Sequence, residues 1–90
     1  MNKYLVEFLG TMLLVFVIFS TGNFLAIGAA LAVGVFLGGS ISGGAYNPAV
    51  AISLYAAGKL EKADLLPYII VETLGGLAAY EMYKRFVLKQ

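Results

Sequence analysis

From Phe8 to Gly58 the chain carries no charged residue, yet the middle of its apolar stretch is broken by Ser42-Gly43-Gly44-Ala45-Tyr46-Asn47-Pro48-Ala49-Val50. The uncharged run decides the solvent. A soluble domain of 90 residues has too much surface for its volume to hide so long a run. The charged fraction is 12% and the apolar fraction 61%, whereas soluble domains average about 25% charged residues. The chain therefore reads as a multi-pass integral membrane protein. The break then has to be explained, because every bare N–H or C=O left in hydrocarbon is costly and Gly-Gly and Asn-Pro are turn signals.

Composition removes several functions. Without cysteine there is no disulfide framework or thiolate metal site, and without histidine the commonest general base and metal ligand are missing. Ser40, Ser42 and Ser53 have no such base, so the chain is not expected to be an enzyme or to hold a metal or cofactor. A net charge of +1 offers no field for nucleic acid. Lys3 followed by Phe8–Phe19 loosely fits a cleaved leader, but Glu7 stands at the entrance of the run and no small-residue cleavage pattern follows.

Three segments are long enough to cross, or nearly cross, a hydrocarbon core of about 30 Å. They run from about residue 4 to 21, from about 23 to 39, and from about 64, with Asp64 as N-cap, to between Tyr83 and Leu88. Ala26, Ala30, Gly34 and Gly38 give the second a face of small residues, and Gly75, Gly76, Ala78 and Ala79 smooth the third. Both patches suit close helix packing. Between these segments, Asn47 is a favoured N-cap and Pro48 a favoured first helical residue. Gly58 suits the position after a helix end. Pro48–Ala57 is expected as a helix of about 15 Å, half the thickness of the core. Ile41–Tyr46 would be the arm leading down to it, and residues 40–58 together a re-entrant loop and half-helix. Such a break is tolerated where the backbone is buried in protein or lines a water-filled cavity, and it aims the positive end of a helix at the midplane. A proline kink in one continuous span is the competing reading, but it requires a helix through three glycines and a proline.

ISGGAYNPAV resembles the first signature loop of the aquaporin family of water and glycerol channels, with Asn47-Pro48-Ala49 as the Asn-Pro-Ala box. Glu7-Phe8-Leu9-Gly10-Thr11 followed by Leu14-Val15-Phe16 is similar to the family's first helix, and Leu74-Gly75-Gly76 with Ala78 and Ala79 to its third. The resemblance implies an all-α membrane fold of three transmembrane helices plus one re-entrant half-helix. Family members carry two inverted repeats whose boxes meet at the midplane, and this sequence has one. Glu72 stands where Gln is common, Ala45 where His is often found two residues before the box Asn, and Val50 where Arg usually follows the second box.

The resemblance implies a passive channel for water and small neutral solutes such as glycerol or urea. With its side-chain oxygen capping the half-helix, Asn47 keeps two N–H donors for a passing water. The missing half of the pore is expected from an inverted copy in the same lipid bilayer. Lys3, Lys59 and Lys62 would lie on one side of the membrane and Lys84, Arg85 and Lys89 on the other, which leaves almost no positive-inside bias. An antiparallel homodimer follows, and four pores would take eight chains. By resemblance Glu7 accepts hydrogen bonds from the loop backbone, although by position alone it also suits the membrane interface. Glu72 could support the loop, be protonated or line the pore. The filter positions carried over are Ile27, Val35, Gly44 and Val50, none of them aromatic or charged. Their apolar lining and lack of an Arg predict a less selective pore than a strict water channel. A small ion-conducting protein and a non-conducting subunit that packs with a longer channel are the alternatives.

Overall fold

The chain, described from a computed structural model over residues 1–89, forms four helices: α1 (Lys3–Thr21), α2 (Phe24–Ser42), α3 (Pro48–Ala56) and α4 (Lys62–Phe86). Asparagine starts three of them. Asn2 accepts from the backbone N–H groups of Tyr4 and Leu5, Asn23 from those of Leu25 and Ala26, and Asn47 from that of Ala49. Each satisfies helix-end donors that lack an intrahelical partner. Gly22 ends α1 with φ 56° and Asn23 caps α2, so a two-residue connection folds the pair antiparallel. These two helices, 19 residues each, are long and apolar enough to cross a membrane. In α4 the charges gather toward the ends, except for Glu72.

Several boundaries differ from the sequence expectation. α2 continues through Gly39 to Ser42, and only Gly43, at φ 90°, stops it. The Ser42 side chain holds this last turn, donating to the Gly38 carbonyl and to Glu7. Ile41 and Ser42 are therefore helical, and the arm into α3 shortens to Gly43–Asn47. α3 ends one residue early, with Ala57 as its cap and Gly58 beyond it at φ 77°. Asp64 is not the N-cap of α4. Glu61 takes that position without a side-chain cap bond, because the Asp64 carboxylate is engaged by Lys3 Nζ at 2.7 Å and Tyr4 Oη at 2.6 Å.

The Asp64 contacts bring the first turns of α1 and α4 to the same end. α1 packs between α2 and α4, and α3 rests on α4. A Cβ on Gly75 would meet the Phe8 carbonyl oxygen at 2.5 Å, so the α1–α4 approach requires a residue without one there. α3 runs back toward the end where α1 and α4 begin: Ala45, Ala51 and Tyr68 form a cluster against Tyr4, Leu54, Leu60 and Leu65. Burial is inverted relative to a water-soluble fold. Glu7, Thr11, Ser42, Asp64 and Glu72 are buried, while Phe24, Phe36, Leu37, Leu66 and Leu77 are among the large apolar side chains left exposed. That distribution suits lipid as the surrounding solvent.

Candidate functional site: the turn before α3

The site is built around Gly43–Asn47, which joins the end of α2 to the start of α3. Gly43 and Gly44 take φ 90° and 64°, backbone angles that suit glycine. Tyr46 also has a positive φ, 52°. For a bulky residue this costs about 1–2 kcal/mol and persists only where the surroundings impose it. The surroundings here are specific. The Tyr46 N–H donates to Glu7 Oε1 at 2.8 Å, and its hydroxyl donates to the Gly34 carbonyl at 2.5 Å. Its ring lies in a slot walled by Gly10 on α1 and by Gly34 and Gly38 on α2, where a Cβ on Gly10 or Gly38 would overlap the tyrosine.

Glu7 is fully buried on α1. Besides Tyr46, its carboxylate accepts from the Ala45 N–H at 3.2 Å and the Ser42 hydroxyl at 2.6 Å. Tyr68 on α4 completes this side by donating to the Ser42 carbonyl at 2.6 Å. One acidic side chain thus holds the donors of three loop-proximal residues, and Tyr46 sets the chain direction immediately before Asn47.

The other side of the turn faces an open cavity of about 380 Å³. Thr11 and Leu14 from α1, Asn47 and Pro48, and Glu72 and Thr73 from α4 are among its lining residues. The Asn47 side-chain oxygen is occupied by the Ala49 N–H at 2.8 Å. Its amide group makes no hydrogen bond among the described residues and is exposed. Thr11 Oγ1 and both Glu72 carboxyl oxygens are buried without a hydrogen-bond partner among the described residues. A second cavity of about 280 Å³, between α1 and α2, is lined almost entirely by apolar side chains and is walled by Tyr46.

The structure brings Glu7, Glu72, Asn47, Pro48 and Ala49 around one turn. The other sequence-selected residues are more dispersed. A Cβ on Gly44 would meet Val35 Cγ2 at 3.3 Å, so those two positions adjoin. Ile27 lies eight residues earlier on α2, about 12 Å away along the helix, and is half-buried. Val50, in the first turn of α3, is 41% exposed. Sequence reasoning missed Tyr46, Ser42 and Tyr68. A signal existed for the first: Gly34 and Gly38, assigned to helix–helix packing, receive the Tyr46 ring.

Comparison with known proteins places the sequence in a family. The family model for major intrinsic proteins matches residues 20–90. The glycerol uptake facilitator protein-like 6 of Lactiplantibacillus plantarum is 41% identical over 97% of the chain and 44% of its own length. Aquaporin Z proteins of Photorhabdus laumondii and Brucella melitensis are 36% and 38% identical, each over 88% of the chain and 41% of the relative. The chain thus spans less than half the length of these curated relatives. No solved structure matches it significantly. The family match and the two long apolar helices make the chain an integral membrane protein, and it belongs to the major intrinsic protein family.

Proposed function

We propose that the chain forms half of a passive channel for water and small neutral solutes, completed by a second copy inserted in the opposite orientation. The observation that carries this reading is the position of Asn47. It starts a nine-residue helix of about 14 Å, and it shares a cavity with Thr11, Leu14 and Ile18, from the middle and second half of α1. With α1, α2 and α4 spanning the bilayer, α3 is a re-entrant half-helix whose positive end lies near the midplane. The free Asn47 amide can bind the oxygen of a passing water or alcohol while the helix end disfavours cations. The names of the relatives, which include a glycerol facilitator and water channels, support this solute class.

A single Asn-Pro-Ala box leaves one wall of the cavity open, and an inverted copy supplies an equivalent box. Cation placement permits both orientations. Lys3 belongs to the end shared by the starts of α1 and α4, Lys59 and Lys62 sit beside it, and Lys84, Arg85 and Lys89 lie at the far end of α4. Each mouth then takes Ile27 from one copy and Val35, Gly44 and Val50 from the other. Four such pores would use eight chains.

Vesicles carrying the purified chain should shrink in hyperosmotic buffer faster than empty ones and re-swell with glycerol or urea. Shrinkage at the rate of bare lipid overturns the channel reading. Unitary ionic current in planar bilayers would favour the ion-conducting alternative. Tags at Met1 and Gln90 should each be partly accessible from outside sealed vesicles, and a single fixed orientation excludes the inverted pair.

A further inference from the structure

We infer that Glu7 and Glu72 share one proton, carried by Glu72 and donated to Glu7, so that the pair holds a single negative charge. The two side chains are 0% and 1% exposed. Gly75, one turn after Glu72 on α4, lies against Phe8 and Thr11, the turn that follows Glu7 on α1, so the parallel packing of the two helices sets the carboxyls at one level. Their hydrogen bonding is unequal. Glu7 accepts from Tyr46 N–H, Ala45 N–H and the Ser42 hydroxyl. Glu72 accepts none among the described residues.

Two neighbouring carboxylates cannot both hold a full charge in a buried site that lacks a cation. Cations elsewhere are committed or distant. Lys3 pairs with Asp64, Lys84 and Arg85 pair with Glu81, and Lys59, Lys62 and Lys89 are exposed. The donors identify the charged partner. A carboxylate offers about four lone-pair sites, and three on Glu7 are taken. A Glu72 O–H fills the fourth and becomes the donor that the pair otherwise lacks. The remaining Glu72 carbonyl oxygen stays buried and neutral, like Thr11 Oγ1, beneath the wall of the cavity that Asn47 also lines. The cavity is thereby spared a second negative charge close beneath its wall that would draw cations.

The test is infrared spectroscopy of the whole chain in lipid vesicles at neutral pH. Glutamate labelled with ¹³C at the side-chain carboxyl is incorporated into a Glu61→Gln/Glu81→Gln variant. The sequence has four glutamates, so only Glu7 and Glu72 then carry label. The expected spectrum contains a protonated-carboxyl C=O band that shows the isotope shift and disappears in Glu72→Gln. If Glu72→Gln does not assemble, Glu72→Asp serves instead: the unlabelled aspartate keeps the proton and the band loses its isotope shift. A labelled spectrum with carboxylate bands alone overturns the inference. So does a labelled protonated band that survives either Glu72 variant, or a labelled carboxylate that responds to exchange of sodium for ammonium, which would make a bound cation the neutraliser. The readout is independent of solute passage, so its failure is distinguishable from failure of the channel reading.

Discussion

The two sides of the Tyr46–Asn47 turn use similar polar groups in opposite ways. On the Glu7 side, every carboxylate oxygen, the Ser42 hydroxyl and the Tyr46 and Tyr68 hydroxyls have partners within the chain. On the Glu72 side, Thr11 Oγ1, both Glu72 oxygens and the Asn47 amide lack them among the described residues. Buried polar groups are almost always satisfied, so the contrast is the one that the proposed channel requires between scaffold and lumen. The satisfied side holds a strained backbone in place. On the unsatisfied side the Asn47 amide is exposed, whereas the Thr11 and Glu72 oxygens have no accessible surface. Substitutions on the first should lower stability, and those on the second should change transport with smaller losses of stability.

The largest effect is expected for Glu7→Ala. It removes the acceptor of three donors, each costing about 1–3 kcal/mol when buried and unpaired, against a total stability of about 5–15 kcal/mol. The variant should fail to assemble or unfold at far lower temperature by circular dichroism, whereas Glu61→Gln, at an exposed site, should match the unmodified chain. Equal Tm values for the two would return Glu7 to the role of an interfacial residue. Next in size is Gly10→Ala, whose Cβ would overlap the Tyr46 ring. Overpacking of this kind costs about 1–3 kcal/mol. Gly28→Ala, where a Cβ meets nothing within 4 Å, should instead be neutral or slightly stabilising. Similar Tm shifts for both would mean that Tyr46 does not occupy the slot.

The Asn47→Leu variant sharpens the contrast. Loss of the cap costs about 1 kcal/mol, so most of the fold should survive, but water flux in stopped-flow shrinkage should fall to that of bare lipid. Near-normal flux from a folded variant would remove Asn47 from the pathway. Val50→Arg should fold, because a water-filled mouth spares the added Arg the roughly 2.5–3.5 kcal/mol it would cost in hydrocarbon. The added donors and volume at the mouth should reduce glycerol passage more than water passage, read by solute-dependent re-swelling. An unchanged ratio would place the selective constriction elsewhere.

The start of α3 was legible because an asparagine cap acts locally: Asn47 followed by Pro48 needs little tertiary context, whereas the caps Asn2 and Asn23 were not read from the sequence. Glu7 was legible through its resemblance to a known helix, and the structure shows what it holds. Asp64 illustrates the limit. Its residue type suits an N-cap, but the decision came from Lys3 and Tyr4, some sixty positions away, which use its carboxylate. The end of α2 was misjudged because Gly38 and Gly39 look like breakers, while the Ser42 hydroxyl and the packing of Gly38 against Tyr46 and Val6 keep the helix intact. Tyr46 was missed for a related reason. A tyrosine with φ 52° contradicts local preference, and only contacts from two other helices explain it.

The central claim is that an inverted second copy completes the open side. The chain has no cysteine, so a nitroxide on one introduced cysteine reports inter-copy distance without background. Ala49→Cys and Lys59→Cys, both at exposed positions, would be measured in separate samples by pulsed electron paramagnetic resonance in lipid. Inverted pairing predicts a short separation at residue 49, where the two boxes meet. At residue 59 it predicts a separation comparable to or greater than the hydrocarbon core, about 30 Å, because the two copies of this residue lie at opposite faces. Short separations at both positions, or no inter-copy distance at either, would contradict the account.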